Sequence, residues 1–173
     1  LDNCRAPIAQ ERLAVVGAAV TPENVDELVR DSGLSGDIDL LSLDIDGNDY
    51  HVLRALEAVR PRVAVLEYNA SYRPPARWVM EYDAAHRWDG TNYFGASLCS
   101  FHDAMTERGY VLVGCNLPGT NAFFVRADLA LDLFESPFDP ATHYEPPRYH
   151  LIAEFARTSG HAPRIGAGKP AAV

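Results

Sequence analysis

Lysine is almost missing from this sequence. Lys169 is the only one in 173 residues, set against 24 acidic residues and a formal net charge of -9. A chain of that sign repels phosphate backbones, which excludes nucleic-acid binding through a basic surface. Long apolar runs are missing too. None approaches the roughly 20 residues that cross a bilayer, so no membrane span is expected. Leu1-Asp2-Asn3-Cys4 has neither the charged nor the apolar region of a signal peptide. Cysteine is sparse: Cys4, Cys99 and Cys115 are dispersed, odd in number and form no CxxC. A disulfide framework or zinc site is therefore not expected, and a reducing cytoplasm is the expected location.

What is present suits one globular domain. Apolar residues make up 47% and charged residues 23%, so a sizeable core can be buried. Leu13–Ala18 reads as a short strand, and Thr21-Pro22 as the capped start of a helix that Asp31-Ser32-Gly33 ends. Residues 38–44 form an apolar run closing on Asp44, followed by the turn Asp44-Ile45-Asp46-Gly47-Asn48-Asp49. Val52, Leu53, Leu56 and Val59 then share a helix face up to Arg60-Pro61, and Val63–Glu67 is a second strand ending in an acid. The spacing fits a right-handed parallel crossover. Residues 70–95 have no period but carry Trp78, Trp88 and several tyrosines, the mark of an ordered binding loop. Ser97 caps a helix with Leu98, Phe101 and Met105 inward, and Gly109 stops it. Residues 110–113 and 121–126 make an antiparallel hairpin around a turn at 116–120. A proline-bearing segment follows, and 166–173 reads as a frayed tail.

Four segments carry a resemblance. They are Leu41-Ser42-Leu43-Asp44-Ile45-Asp46-Gly47-Asn48-Asp49-Tyr50, Pro61–Asn69, Tyr93-Phe94-Gly95-Ala96-Ser97-Leu98 and Asn121–Arg126. In that order they resemble a subgroup of the FkbM-type methyltransferase-like proteins, over roughly residues 13–130. The resemblance implies the second half of a class I methyltransferase fold: α/β, a Rossmann-like mostly parallel sheet with a C-terminal antiparallel hairpin. It also implies S-adenosylmethionine as cofactor. The sequence departs from the family at the start, where the strand with a glycine-rich turn and the ribose-binding acid do not occur. No cofactor-binding residue can be assigned, and binding by this chain alone is not expected.

Ligands of open α/β sheets bind at the carboxyl ends of the strands, which is where Asp44, Asp46 and Glu67 fall. The family reading gives these acids the reacting methyl's surroundings, a cation or substrate hydroxyls. Their bland role is to cap the helix near Asn48. An EF-hand would need Gly and Glu where Asp49 and Ala55 stand, so calcium of that kind is excluded. A haloacid-dehalogenase-like phosphatase fits the Asp-x-Asp turn but lacks a placed lysine and a late acidic pair. His86, inside the aromatic loop, is a candidate base. His51 could reach the same edge, and His102 reads as structural. Asn48, Tyr68, Asn69, Trp88 and Tyr93 are the candidate substrate contacts, with Asn116 and Asn121 as further polar positions.

These readings give a Rossmann-like domain over 1–150 and an extension with tail over 151–173. The expected function is methyl transfer from S-adenosylmethionine to a hydroxyl of a small molecule or glycan, with Asp44, Asp46, Glu67 and His86 as the catalytic set and no metal ligands. The alternative is a non-catalytic binding or assembly module of the same fold. The sheet is expected to close by parallel pairing of 13–18 with 39–44. Failing that, a second copy would cover the exposed edge as a homo-oligomer.

Overall fold

The computed structural model describes residues 13–130, 132–151 and 168–170. A sheet of four strands is its frame. β1 (Gly36–Leu43) and β2 (Val59–Glu67) run parallel, joined by α2 (Asp49–Ala55); α1 (Val25–Asp31) precedes them. β4 (Tyr110–Cys115) and β5 (Asn121–Arg126) form the antiparallel hairpin, and β5 inserts antiparallel beside β2. The strand order is β1-β2-β5-β4. The sheet is therefore mixed, and only one of its three pairings is parallel, which corrects the expectation of a mostly parallel sheet.

The reason lies at the front of the chain. Residues 13–18 form no strand and do not pair with β1. Leu13, Val15 and Val16 are about half exposed, so no sheet face buries them. The outer edge of β1 is unpaired among the described residues, but it lies open to solvent. Its backbone groups are hydrated rather than orphaned, so the desolvation cost that would have forced a pairing does not arise. Asp37 and Asp39, with side chains 66% and 90% exposed, put charge along that edge and disfavour strand addition.

The elements otherwise follow local chemistry. α1 begins one turn later than Thr21-Pro22 suggests, because Asn24 Oδ1 accepts from Thr21 N–H and residues 22–24 form a turn instead. Gly33 ends it at φ +80°, a conformation glycine adopts freely. α2 is shorter than its apolar stripe implied. Leu56 is extended, and Val59 and Pro61 belong to β2, where Pro61 sits opposite Ile38. α3 (Leu98–Glu107) is capped by Ser97, whose hydroxyl accepts from Ser100 N–H, and it buries Leu98, Phe101 and Met105. Along β2 the alternation is clear: Ala64 and Leu66 are fully buried, whereas Val63, Val65 and Glu67 are half-buried. The core gathers Leu43, Val52, Leu53, Ala64, Leu66, Phe101, Met105, Leu112 and Phe124.

Residues 70–95 are ordered by their aromatics, with Tyr72 stacked on Trp78 at 4.2 Å and Tyr93 edge-on to it. Within them lies β3 (Trp78–Met80), which pairs antiparallel with β6 (Gly168–Pro170). The expected frayed tail thus contains a strand. After β5 come α4 (Ala127–Ala130) and α5 (Pro140–His143), the latter capped by Asp139. Most of the expected extension, 152–167, lies outside the described residues, as does Cys4; Cys99 and Cys115 are free thiols.

Candidate functional site

The parallel register sets Leu43 opposite Leu66, so the next residues, Asp44 and Glu67, leave the sheet side by side. The chain then reverses. Asp46 takes φ +57°, a left-handed conformation that Asp tolerates better than most residues. Asp49 holds the turn: its carboxylate accepts from Ile45 N–H at 2.8 Å and Gly47 N–H at 2.9 Å. Neither Asp44 nor Asp46 caps α2, whose N-cap Asn48 makes no side-chain cap bond; the buried Asp49 braces the turn before the helix and leaves both acids open. One oxygen each of Asp44, Asp46 and Glu67 lies within 4.8 Å of the others. Three hard oxygen donors at this spacing can converge on a divalent cation or on substrate hydroxyls.

The three differ in surroundings. Asp44 and Asp46 are exposed and Glu67 is half-buried. Glu67 Oε2 is itself buried and has no hydrogen-bond partner among the described residues. Burial first, then the charges of Asp44, Asp49 and Asp46, push the Glu67 carboxyl up to about 8. Burial and then Asp46 also raise Asp44. Two ionised carboxylates 4.8 Å apart repel by about 3 kcal/mol at an effective dielectric of about 20, so the cluster favours holding a proton. The Tyr149 hydroxyl, in the short 3-10 turn Tyr149–Leu151, is pushed up to about 12 by burial and then by Glu67.

The aromatic loop lies against this turn. Gly95 N–H donates to Gly47 O, and Asn48 Nδ2 donates to Asp83 O at 2.9 Å. The His86 ring sits on Gly47, so close that a Cβ there would lie 2.3 Å from it. His86 Nε2 contacts Asp46 O at 3.2 Å. A carbonyl only accepts, so in that contact Nε2 carries the proton and Nδ1 is the basic nitrogen of the neutral ring.

The other candidates differ in burial and in the partners they hold. Tyr68 is fully buried and its hydroxyl donates to Glu145 O. Asn69 is fully buried; it donates to Asn92 O and Phe94 O and accepts from Ser71 N–H. Asn69 staples the loop, Tyr68 ties β2 to the segment after α5, and Asn48 also faces the loop. Trp88, 45% exposed, and the half-buried Tyr93 remain accessible. His51 bonds Met80 O at 2.7 Å, and His102 lies 3.6 Å from Asp103, so neither joins the acids. Asn116 and Asn121 shape the β4–β5 turn. Asp49 and Tyr149 carried no role in the sequence reading. The two-residue spacing from Gly47 was the available signal for Asp49; for Tyr149 there was none.

The family model of the methyltransferase FkbM domain matches residues 10–112. The chain belongs to the FkbM methyltransferase family. The matched range of this FkbM-family chain contains β1, β2, the acidic turn, the aromatic loop and α3. No curated protein and no solved structure shows significant similarity to it.

The family implies S-adenosylmethionine, and the described residues do not fit it. The β1–α2 turn holds a glycine, Gly47, but the space a close-approaching ligand would use there is filled by His86. The other glycines flanking α1 and β1, Gly33 and Gly36, form the loop between them at positive φ and lie at the opposite end of β1 from the acids. Among the described residues, no glycine-rich turn that would cradle the cofactor stands at the acid end of β1.

Proposed function

We propose that the edge formed by Asp44, Asp46 and Glu67 is the acceptor side of a methyl-transfer site on a Rossmann-like sheet. It would receive a hydroxyl of a small molecule or glycan. The observation that supports this reading most is the buried, unpartnered Glu67 Oε2 beside two open carboxylates. An acceptor hydroxyl donates its hydrogen bond to Glu67, and neighbouring hydroxyls donate to Asp44 and Asp46. Glu67 would accept that proton and later release it to water, while the methyl donor would have to be held by residues other than those described. A carboxylate with a pKa near 8 is a stronger base than an ordinary one, which suits general-base work near neutral pH. Glu67 rather than His86 is the base in this reading, because its carboxylate lies within the acid cluster whereas the His86 ring sits on Gly47. The exposed Trp88 offers a flat face for the acceptor's body.

A non-catalytic binding or assembly module is the second reading. The open β1 edge, with Leu40 58% exposed, and the missing cofactor cradle favour it. One pair of measurements decides. Isothermal titration of the 173-residue chain with S-adenosylmethionine should give no micromolar binding. A panel of polyols and oligosaccharides should include members that lower the Glu67 pKa, read from its carboxyl ¹³C resonance, because a donated hydrogen bond stabilises the anion. If no member of the panel moves Glu67, the acceptor-side reading fails.

A further inference from the structure

At the other end of the sheet lies a cavity of about 360 Å³ that the acceptor site does not use. It opens where α2 and α3 end and β2 and β4 begin. Its exposed lining residues, Glu57 and Arg60, lie at the start of β2, whereas Glu67 closes the far end of β2. Eight residue steps at about 3.3 Å separate those ends, roughly 26 Å. The volume falls in the range of small-molecule pockets.

The walls are apolar: Leu41 from β1, Leu53 and Leu56 from the end of α2, and Met105 from α3. Tyr110 adds a ring whose hydroxyl is already donated to Pro61 O at 2.6 Å, so it presents only its apolar body. The rim carries charge. Arg108 donates to Leu56 O at 2.8 Å and Arg54 O at 2.9 Å. Those two bonds pin the guanidinium in place, and neither partner is a carboxylate. Burial and then the neighbouring Arg54 push Arg108 below its ordinary value, against the opposing pull of Glu57. Arg60 is exposed and forms no ion pair among the described residues. Against these two stands one lining carboxylate, Glu57. In a chain of net charge -9, this rim has an excess of one positive charge.

We propose that this cavity is a second ligand site, which takes a small amphipathic carboxylate with its tail among Leu41, Leu53, Leu56 and Met105 and its head on Arg60 and Arg108. A single negative charge matches the rim's excess, and guanidinium with carboxylate is a strong, directional pairing. A neutral ligand would gain the same apolar contact but form no ion pair with Arg60 or Arg108. A polyanion would meet Glu57 with charge left over.

Decanoate is the probe, titrated below its aggregation range into the full ¹⁵N-labelled chain, with decanol as the neutral control. Saturable shifts are expected at residues 53–61 and 105–110. Decanoate should bind about tenfold tighter than decanol, the size of a charge-assisted hydrogen bond. Arg60→Gln, a surface change that breaks no bond of the fold, should remove most of that advantage and leave decanol unaffected. Equal affinity for the two probes, an unchanged preference in Arg60→Gln, shifts centred on 16–34 or 44–49, or no saturable binding would each overturn the proposal.

Discussion

Replacing Glu67 by Gln tests the electrostatics of the acidic edge without needing a ligand. In the folded chain the Glu67 carboxyl is pushed from 4.5 to about 8. The folded state therefore keeps a proton between those values that the unfolded chain releases. With more protons bound in the folded state, stability falls as pH rises. The contribution is fully present below about 4.5 and lost on passing through about 8. At about 1.4 kcal/mol per pH unit, the interval has a ceiling of about 5 kcal/mol. Water reaching the half-buried side chain and adjustment of the exposed Asp44 and Asp46 reduce this to roughly 2–4 kcal/mol. Glu67→Gln is neutral at every pH. Urea unfolding should show the variant close to the parent at pH 5 and more stable by roughly 2–4 kcal/mol at pH 8.5, with an unchanged m-value. Titrating groups that do not interact with Glu67 cancel in the difference between the two proteins. Parallel stability curves from pH 5 to 8.5, or a variant that is weaker at pH 8.5, would refute the reasoning.

Asp44→Asn removes the second-largest cause of the Glu67 shift, so the Glu67 carboxyl ¹³C titration should move to lower pH. Asp49→Ala strips two hydrogen bonds from a buried turn and leaves two N–H groups unmet; urea unfolding should show a loss of about 3–5 kcal/mol. Asp49→Asn should cost less, because its amide keeps one acceptor. Gly47→Ala places a Cβ 2.3 Å from the His86 ring and must expel it. Limited proteolysis within 82–95 should then speed up, with the unfolding midpoint of the core little changed.

The sequence disclosed the parts governed by local rules. Ser97 before Leu98, Phe101 and Met105 announced α3, and the Asn116–Thr120 turn announced the hairpin, because cap and turn chemistry act within a few residues. The acid pair was legible because a parallel crossover puts successive strand ends at one edge, and both strands end in carboxylates. What failed was non-local. Leu13–Ala18 has the composition of a strand, but a strand needs a partner, and no edge of the sheet pairs with it. The parallel character of the sheet failed with it. Pro61 read as a stop for the helix, and the chain had already left it at Leu56. β3 and β6, three residues each, are too short to show a period, and each is defined by the other. Tyr68 and Asn69 read as ligand contacts because they follow the strand end; the bonds they make, Tyr68 to Glu145 and Asn69 to Asn92 and Phe94, are non-local and could not be read from the sequence.

The β3–β6 pairing also orders events in time. Trp78–Met80 finds its partner at Gly168–Pro170, almost 90 residues later. During vectorial synthesis β1, β2, β4 and β5 are all available before β6 exists, so the sheet and its acidic edge can assemble first. Closing so long a loop for a few backbone bonds carries an entropy cost that the local hairpin does not. The aromatic loop therefore settles late in folding, and its outer strand is the first part to come away when the chain breathes.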